Sequence, residues 1–205
     1  MAEKKDKNSL IFEWSNITKS DRALLNKWDD LSSYEELNNP DVDKEFATTI
    51  IDGAKNLQAY IGTENDLGDT IYDYFVSFDK YGADVKHYGK VAKYNGEIVA
   101  TLAAGVVTEE NGEVTVECHI FAVNPRFQKQ GFGTAAIFDM VKRTKDIFGI
   151  KQKCKFVSYI NKSNIASQKV FMKNGFNLDK ERYKKAFLST GTRPTHLKFI
   201  KEKNK

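Results

Sequence analysis

Cysteine is scarce: two residues in a chain of 205 cannot build a disulfide framework. Cys118 and Cys154 also lack the paired spacing of a metal site, so both read as reduced thiols buried in strand-like runs. Proline is nearly as rare, with Pro40, Pro125 and Pro194 each marking a turn. No apolar run is long enough to span a bilayer, and the polar stretch Met1 to Asn8 lacks the apolar core of a signal peptide. The expectation is a cytoplasmic protein with no membrane partner. An excess of one charge is missing too. Lys and Arg number 32 against 28 Asp and Glu, a net charge of +4, and the signs are interspersed except at the lysine-rich ends, Lys4 to Lys7 and Lys198 to Lys205. A nucleic-acid surface needs clustered cations, so no nucleic-acid partner is expected.

What is present is ordinary globular composition, 40% apolar and 29% charged, with clear punctuation. Leu10 to Ile17 reads as a strand. Ser20 and Asp21 are placed to cap a helix carrying Ala23, Leu24, Leu25, Trp28 and Leu31, and a second helix covers Asp43 to Tyr60. Strands follow at Tyr88 to Tyr94, Glu97 to Val107 and Glu113 to Val123, separated by Asn95-Gly96 and Asn111-Gly112, both hairpin signals. A helix from Gly133 to Phe148 ends at Gly149, and Lys153 to Ile160 is the next strand. A helix from Ser163 to Asn174 then stops at Gly175, and strands after Phe176 and at His196 to Ile200 close an α/β order with a mixed sheet. The chain reads as a single domain over residues 1–205, with a variable part at 1–87, a core at 88–180 and closing strands with a basic tail at 181–205.

Between the third clear strand and its helix lies Gln128-Lys129-Gln130-Gly131-Phe132-Gly133-Thr134. Closely spaced glycines at the start of a helix let backbone N–H groups converge on an anion. The run also satisfies the dinucleotide pattern G-x-G-x-x-A, but that site needs an acidic residue roughly 20 positions on. The run Lys151 to Asn161 holds no carboxylate. No Gly-Lys-Ser/Thr follows the glycines either, which excludes a P-loop.

The loop resembles the pyrophosphate loop of the GNAT N-acetyltransferases, Gln/Arg-x-x-Gly-x-Gly/Ala. A second signature of that family follows one helix and one strand later, as Asn164-Ile165-Ala166-Ser167 leading through Phe171 to Gly175-Phe176. The resemblance covers roughly residues 88–180. It implies the GNAT fold, a mixed and mostly antiparallel sheet flanked by helices and splayed at the acetyl-CoA site. It also implies acetyl-CoA as cosubstrate, a primary amine of a small molecule or a protein as acceptor, and direct attack in a ternary complex. A non-catalytic acyl-CoA sensor and a transferase of another acyl group are the alternatives. Gln128, Lys129, Gln130, Gly131, Phe132, Gly133 and Thr134 would cradle the pyrophosphate, and the free backbone of Phe121, Ala122 and Val123 would pair with pantetheine. Asn161 or Asn164 would bond a pantetheine amide, though an asparagine there also suits a helix cap. No metal is called for.

A lysine-like amine of pKa about 10.4 must lose a proton before it can attack. Strand alternation puts Val114, Val116, Cys118 and Ile120 on one face and Thr115, Glu117, His119 and Phe121 on the other. Glu117 precedes Gln128 by eleven residues, the offset of the general-base glutamate in histone-type members of the resembled family, and His119 is its rival or partner. The family's tyrosine acid is replaced by Phe171, which cannot donate a proton, although it can pack beside the thiol end of the cofactor. Tyr159 is a substitute candidate, and a thiol of pKa about 8.5 leaves readily without an acid. The acidic, aromatic stretch Glu64 to Asp84 suits either a wall for a cationic acceptor, with Asp69 and Asp73 facing the amine, or an amphipathic surface helix with its aspartates in water.

Overall fold

The computed structural model describes residues 10–61, 66–78, 85–181 and 195–202. Strand β1 (Glu13–Asn16) lies beside β2 (Val85–Tyr94). Asn95 and Gly96 take left-handed backbone, φ 53° and 82°, in the turn that matches strand twist, and lead into β3 (Glu97–Thr108). Gly112, φ 80°, turns the chain into β4 (Val114–Val123). The meander read from the two Asn-Gly pairs is thus present. Strands β5 (Cys154–Asn161), β6 (Asn177–Leu178) and β7 (His196–Glu202) extend the sheet in the order β1-β2-β3-β4-β5-β7-β6. Only the β4–β5 pairing is parallel, the mixed, mostly antiparallel sheet expected.

Helices α1 (Lys19–Leu25), α2 (Lys44–Ile61) and α3 (Leu67–Phe78) precede β2 in the chain. On their side of the sheet Leu25, Leu67 and Ile71 pack with Val91, Ala103 and Ala122. Helices α4 (Phe132–Lys142), α5 (Thr144–Phe148) and α6 (Ile165–Lys173) cover the opposite face. There Ile137, Met140, Ile147 and Phe171 meet Val116, Cys118 and Phe156.

Several boundaries differ from the sequence reading. Helix α1 is capped by Thr18, not by Ser20 or Asp21. The Thr18 hydroxyl accepts from the Asp21 N–H at 3.2 Å while the Asp21 carboxylate accepts from the Thr18 N–H at 3.0 Å, a reciprocal box that starts the helix earlier. The helix therefore ends at Leu25, leaving Trp28 buried in the turn beyond it and Leu24 and Leu31 exposed. The first strand shrinks to Glu13–Asn16, although Leu10 and Phe12 are still buried. The helix expected to run unbroken from Gly133 to Phe148 divides at Arg143, φ −102° and ψ 30°. The Thr144 hydroxyl donates back to the Val141 carbonyl at 2.7 Å, and the Arg143 guanidinium donates to the Phe12 carbonyl at 2.8 Å, side-chain bonds that compete with continued helix. Gly149, φ 74°, stops α5 as anticipated.

The largest correction is in β4. Ala104 pairs with Cys118 but Ala103 pairs with Ile120, so His119 is an extra residue facing no partner on β3. This bulge shifts the phase of the strand. Cys118 belongs to the α4–α6 side, yet Ile120 and Ala122 pack on the α1–α3 side, and Phe121 moves to the face of Cys118. Simple alternation had put Ile120 with Cys118 and Phe121 with Glu117.

Candidate active site

The pairing of β4 with β5 stops at Cys118 opposite Ser158, although β4 continues to Val123 and β5 to Asn161. The strands part beyond that point, and the wedge opens into a cleft of about 1160 Å³. This is the splay that the family resemblance implied. On the β5 side of β4, from His119 onward, backbone donors and acceptors face the cleft instead of a strand.

The N-terminus of α4 closes one end of the cleft. Gly131 holds φ 94° and ψ −11° as the residue before the helix, and no side chain caps the first turn. Its N–H groups therefore keep their hydrogen-bonding capacity for a ligand at the positive end of the helix. Gly133 has a packing reason as well: a Cβ there would stand 3.1 Å from Val123 Cγ2 and 3.7 Å from Val170 Cγ2. Asn174 fixes this turn against α6, donating to the Thr134 carbonyl at 3.0 Å and to the Val170 carbonyl at 2.9 Å. Nothing in the sequence pattern pointed to Asn174 as more than the end of a helix.

Most of the residues singled out from sequence line the cleft: His119, Phe121, Ala122, Val123, Gln128, Lys129, Gly131, Gly133, Thr134, Asn161, Asn164 and Phe171. Two of the loop residues turn elsewhere. Gln130 donates to the Arg126 carbonyl at 2.8 Å, and the Phe132 ring is buried among Phe12, Tyr94 and Phe127. The Gln128 carboxamide bridges elements: Nε2 donates to the Val123 carbonyl at 3.1 Å, and a Cβ on Gly53 of α2 would come within 2.7 Å of Oε1. Lys129, at φ 60°, donates to the Thr49 hydroxyl at 3.3 Å. The loop is thereby tied to α2, whose Asn56 and Leu57 line the cleft together with Leu67 and Thr70 of α3. These cleft residues lie before the two signatures, Asn56 and Leu57 in the second helix and Leu67 and Thr70 in the acidic, aromatic stretch.

Asn164 is a helix cap, one of its two readings, and serves it through its oxygen. Oδ1 caps α6 by accepting from the Ser167 N–H at 2.9 Å, and the side chain borders the cleft. Asn161 Oδ1 likewise accepts from the Ser163 N–H at 3.0 Å. Phe171 is 1% exposed and packs edge-on against Phe176 at 4.9 Å and Phe121 at 6.2 Å between ring centres. Tyr159 also lines the cleft.

The two titratable residues read from β4 as base candidates split by position. His119 borders the cleft while Glu117 stands behind it, with Oε2 3.8 Å from His119 Nε2. Burial holds the His119 imidazole below its ordinary pKa; the Glu117 carboxylate opposes this, and His87 adds to it. Cys118 is pushed up to about 12 by burial, with Glu117 contributing. Both cysteines are buried and neither forms a disulfide, as the sequence suggested. Asp69 ion-pairs with Arg22 of α1 and accepts from Asn26 at 3.0 Å, and it does not border the cleft. Asp73 does not border the cleft either. Among the described residues, no group of three acidic, histidine or cysteine side chains could hold a metal ion, and no helix is long and apolar enough to cross a membrane.

A strand pair splayed around an uncapped helix N-terminus is the architecture of an acyl-CoA site, and sequence comparison agrees. The profile described as the Acetyltransferase (GNAT) family matches residues 55–176, more than half of the chain. The protein belongs to that family. No curated protein gives a significant match. Among solved structures, a candidate phosphinothricin N-acetyltransferase is similar at 13% identity, covering 95% of this chain and 100% of that one with a TM-score of 0.55. The acetyltransferase candidate yncA of Salmonella typhimurium, solved with its cofactor acetyl-CoA, is 13% identical over 95% of each chain, TM-score 0.52. A GNAT acetyltransferase of Elizabethkingia anophelis with acetyl-CoA bound is 24% identical over 64% of this chain and 89% of that one, TM-score 0.40. At these identities the first two show a shared fold.

Proposed function

We propose that this protein transfers the acetyl group of acetyl-CoA to a primary amine held in the same cleft. The observation that carries the reading is the uncapped α4 N-terminus at the mouth of the β4–β5 splay. Its donors suit a pyrophosphate, and the β4 edge from Phe121 to Val123 offers amide partners to an extended pantetheine arm. The Asn164 nitrogen, spare after capping, supplies one more donor. When bound, acetyl-CoA supplies an acetyl thioester whose carbonyl carbon gains the amine nitrogen as its bond to sulfur breaks.

The acceptor amine enters from the side of Asn56, Leu57, Leu67 and Thr70. His119, nearest the cleft, takes the proton that the ammonium must lose, and its lowered pKa keeps it neutral and able to do so near pH 7. Glu117 sits behind the imidazole, orients it and stabilises the cation that forms. This order reverses the first assignment, in which Glu117 was the favoured base. Phe171 offers no proton to the departing sulfur, which leaves as a thiolate.

The deciding experiment is calorimetric titration with acetyl-CoA, using Gly131→Trp as the control for the cradle, followed by turnover against a panel of amines. Acetyl-CoA binding lost in the variant, with turnover on one amine class, is expected. Failure of the wild-type protein to bind acetyl-CoA would overturn the reading, whereas binding without turnover on any amine would mark a sensor. Within an active enzyme, His119→Gln should lower kcat more than Glu117→Gln. An unchanged rate and pH profile in His119→Gln removes it from the chemistry.

A further inference from the structure

The acid–base pair has a third titratable neighbour that no sequence signature announced. Across β2, β3 and β4, His87, Gly105 and Glu117 lie directly opposite one another in register. Opposed residues in a sheet share a face, so His87 and Glu117 point to the same side, the side of α3. Gly89, two residues along β2 from His87, confirms the direction, because a Cβ there would meet Ile71 and Phe75 of α3. The two titratable residues are two strand spacings apart, roughly 10 Å between Cα atoms. Ordinarily a side chain on the middle strand would fill that interval. Gly105 has none, and it is buried, so no side chain of the middle strand stands between the imidazole and the carboxylate.

Building on the acetyltransferase reading, we propose that His87 is a positioning residue of the acid–base site, reaching through the gap left by Gly105 toward the Glu117–His119 pair and keeping the cleft imidazole in its neutral, proton-accepting form. The bulge at His119 contributes to this arrangement. Inserted there, His119 has no opposite number on β3, and as the second residue after Glu117 it holds its ring 3.8 Å from Glu117 Oε2. A cationic His87 disfavours a second cation beside it, which is the direction in which it acts on His119. The opposing influence is Glu117. Among the described residues, the titratable groups on this face of the adjoining strands are Lys155 and Tyr159 of β5, opposite Glu202 and Lys198 of β7. Of these, Lys198 is paired with Asp179 at 3.8 Å. On the helical side Asp69 and Tyr72 engage Arg22, and Asp73 also acts on that guanidinium.

The chain has three histidines, His87, His119 and His196, so imidazole signals in an NMR titration of the whole protein can be assigned by single substitutions. In the wild-type protein the His87 and His119 curves should each show an inflection at the midpoint of the other, the signature of coupled sites. In His87→Gln the His119 midpoint should rise, and the acidic limb of kcat/KM for acetyl transfer should move to higher pH with it. In Glu117→Gln the His119 midpoint should fall. Independent single-step curves in the wild-type protein, or a His119 midpoint that stays put in folded His87→Gln, would overturn the inference. The titration needs no acetyl-CoA and no acceptor, so its outcome is separate from that of the acetyltransferase reading.

Discussion

Replacing Gly131 by alanine tests the cofactor cradle at its most constrained atom. The residue sits at φ 94° and ψ −11°, where a Cβ is crowded by the following carbonyl at a cost of about 1–2 kcal/mol for an L-residue. The chain can respond in two ways. If the loop keeps its shape, the strain appears in stability, and at about 2–4 °C per kcal/mol for a protein of this size the melting temperature falls by roughly 2–8 °C. If the loop relaxes to negative φ, the first N–H groups of α4 swing off the cleft and the loss appears in acetyl-CoA affinity. Gly131→Asn separates conformation from bulk, because asparagine carries a Cβ and a larger side chain yet tolerates left-handed backbone better than alanine. Thermal unfolding with and without acetyl-CoA, together with calorimetry, on the wild type and both variants should show alanine more damaging than asparagine in the summed loss. An alanine variant equal to wild type in both measurements would refute the reasoning, and asparagine as harmful as alanine would point to space and away from backbone conformation.

Burial raises the Asp29 carboxyl above the ordinary aspartate pKa, with Asp66 and Asp30 adding to the effect, and Oδ1 has no hydrogen-bond partner. The folded protein therefore holds this proton more tightly than the unfolded chain, and the stability it brings is lost as pH rises from the unfolded value through the raised one. Asp29→Asn should unfold at higher temperature than wild type at pH 7, with the gap closing toward pH 4; a gap independent of pH contradicts the assignment. Phe171→Ala removes a ring that is 1% exposed and wedged between Phe121 and Phe176, so a loss on the order of 3–5 kcal/mol in urea unfolding is expected. A loss below about 1 kcal/mol would mean the site collapses around the cavity. Cys118, with its thiol pushed up to about 12, and the equally buried Cys154 should resist thiol reagents at pH 8 in the folded protein and both label on unfolding. Fast labelling of either in the native state would show the core to be open.

Much of the fold was legible because its signals are local. Asn95-Gly96 and Gly149 demand left-handed backbone, and the structure places it there. The cleft was legible for a related reason: the uncapped helix start is written as Gly131 and Gly133, two positions apart in one loop. What escaped depends on contacts made across the fold. Thr18 and Ser20 are both sound caps in isolation, and the reciprocal bond with Asp21 decides between them. At the break, Arg143 donates to a carbonyl of Phe12, more than a hundred residues earlier, a contact no local pattern marks. The bulge at His119 has no glycine or proline to announce it, and it exists only through the register with β3. The ion pair of Asp69 with Arg22 escaped as well, because charge pairing between separate helices leaves no trace in spacing.

That bulge also divides β4 into two stretches with opposite substitution rules. From Val114 to Cys118 the even-numbered positions face the α4–α6 core, whereas beyond His119 the odd-numbered Phe121 takes that side and the even-numbered Ile120 and Ala122 look toward α3. A scan of all amino acids along the strand should show tolerance to polar residues changing parity at residue 119. Deleting His119 would remove the extra residue and leave Ile120 and Phe121 on the faces they already occupy, whereas pairing His119 into a regular ladder would turn every side chain after it to the opposite face.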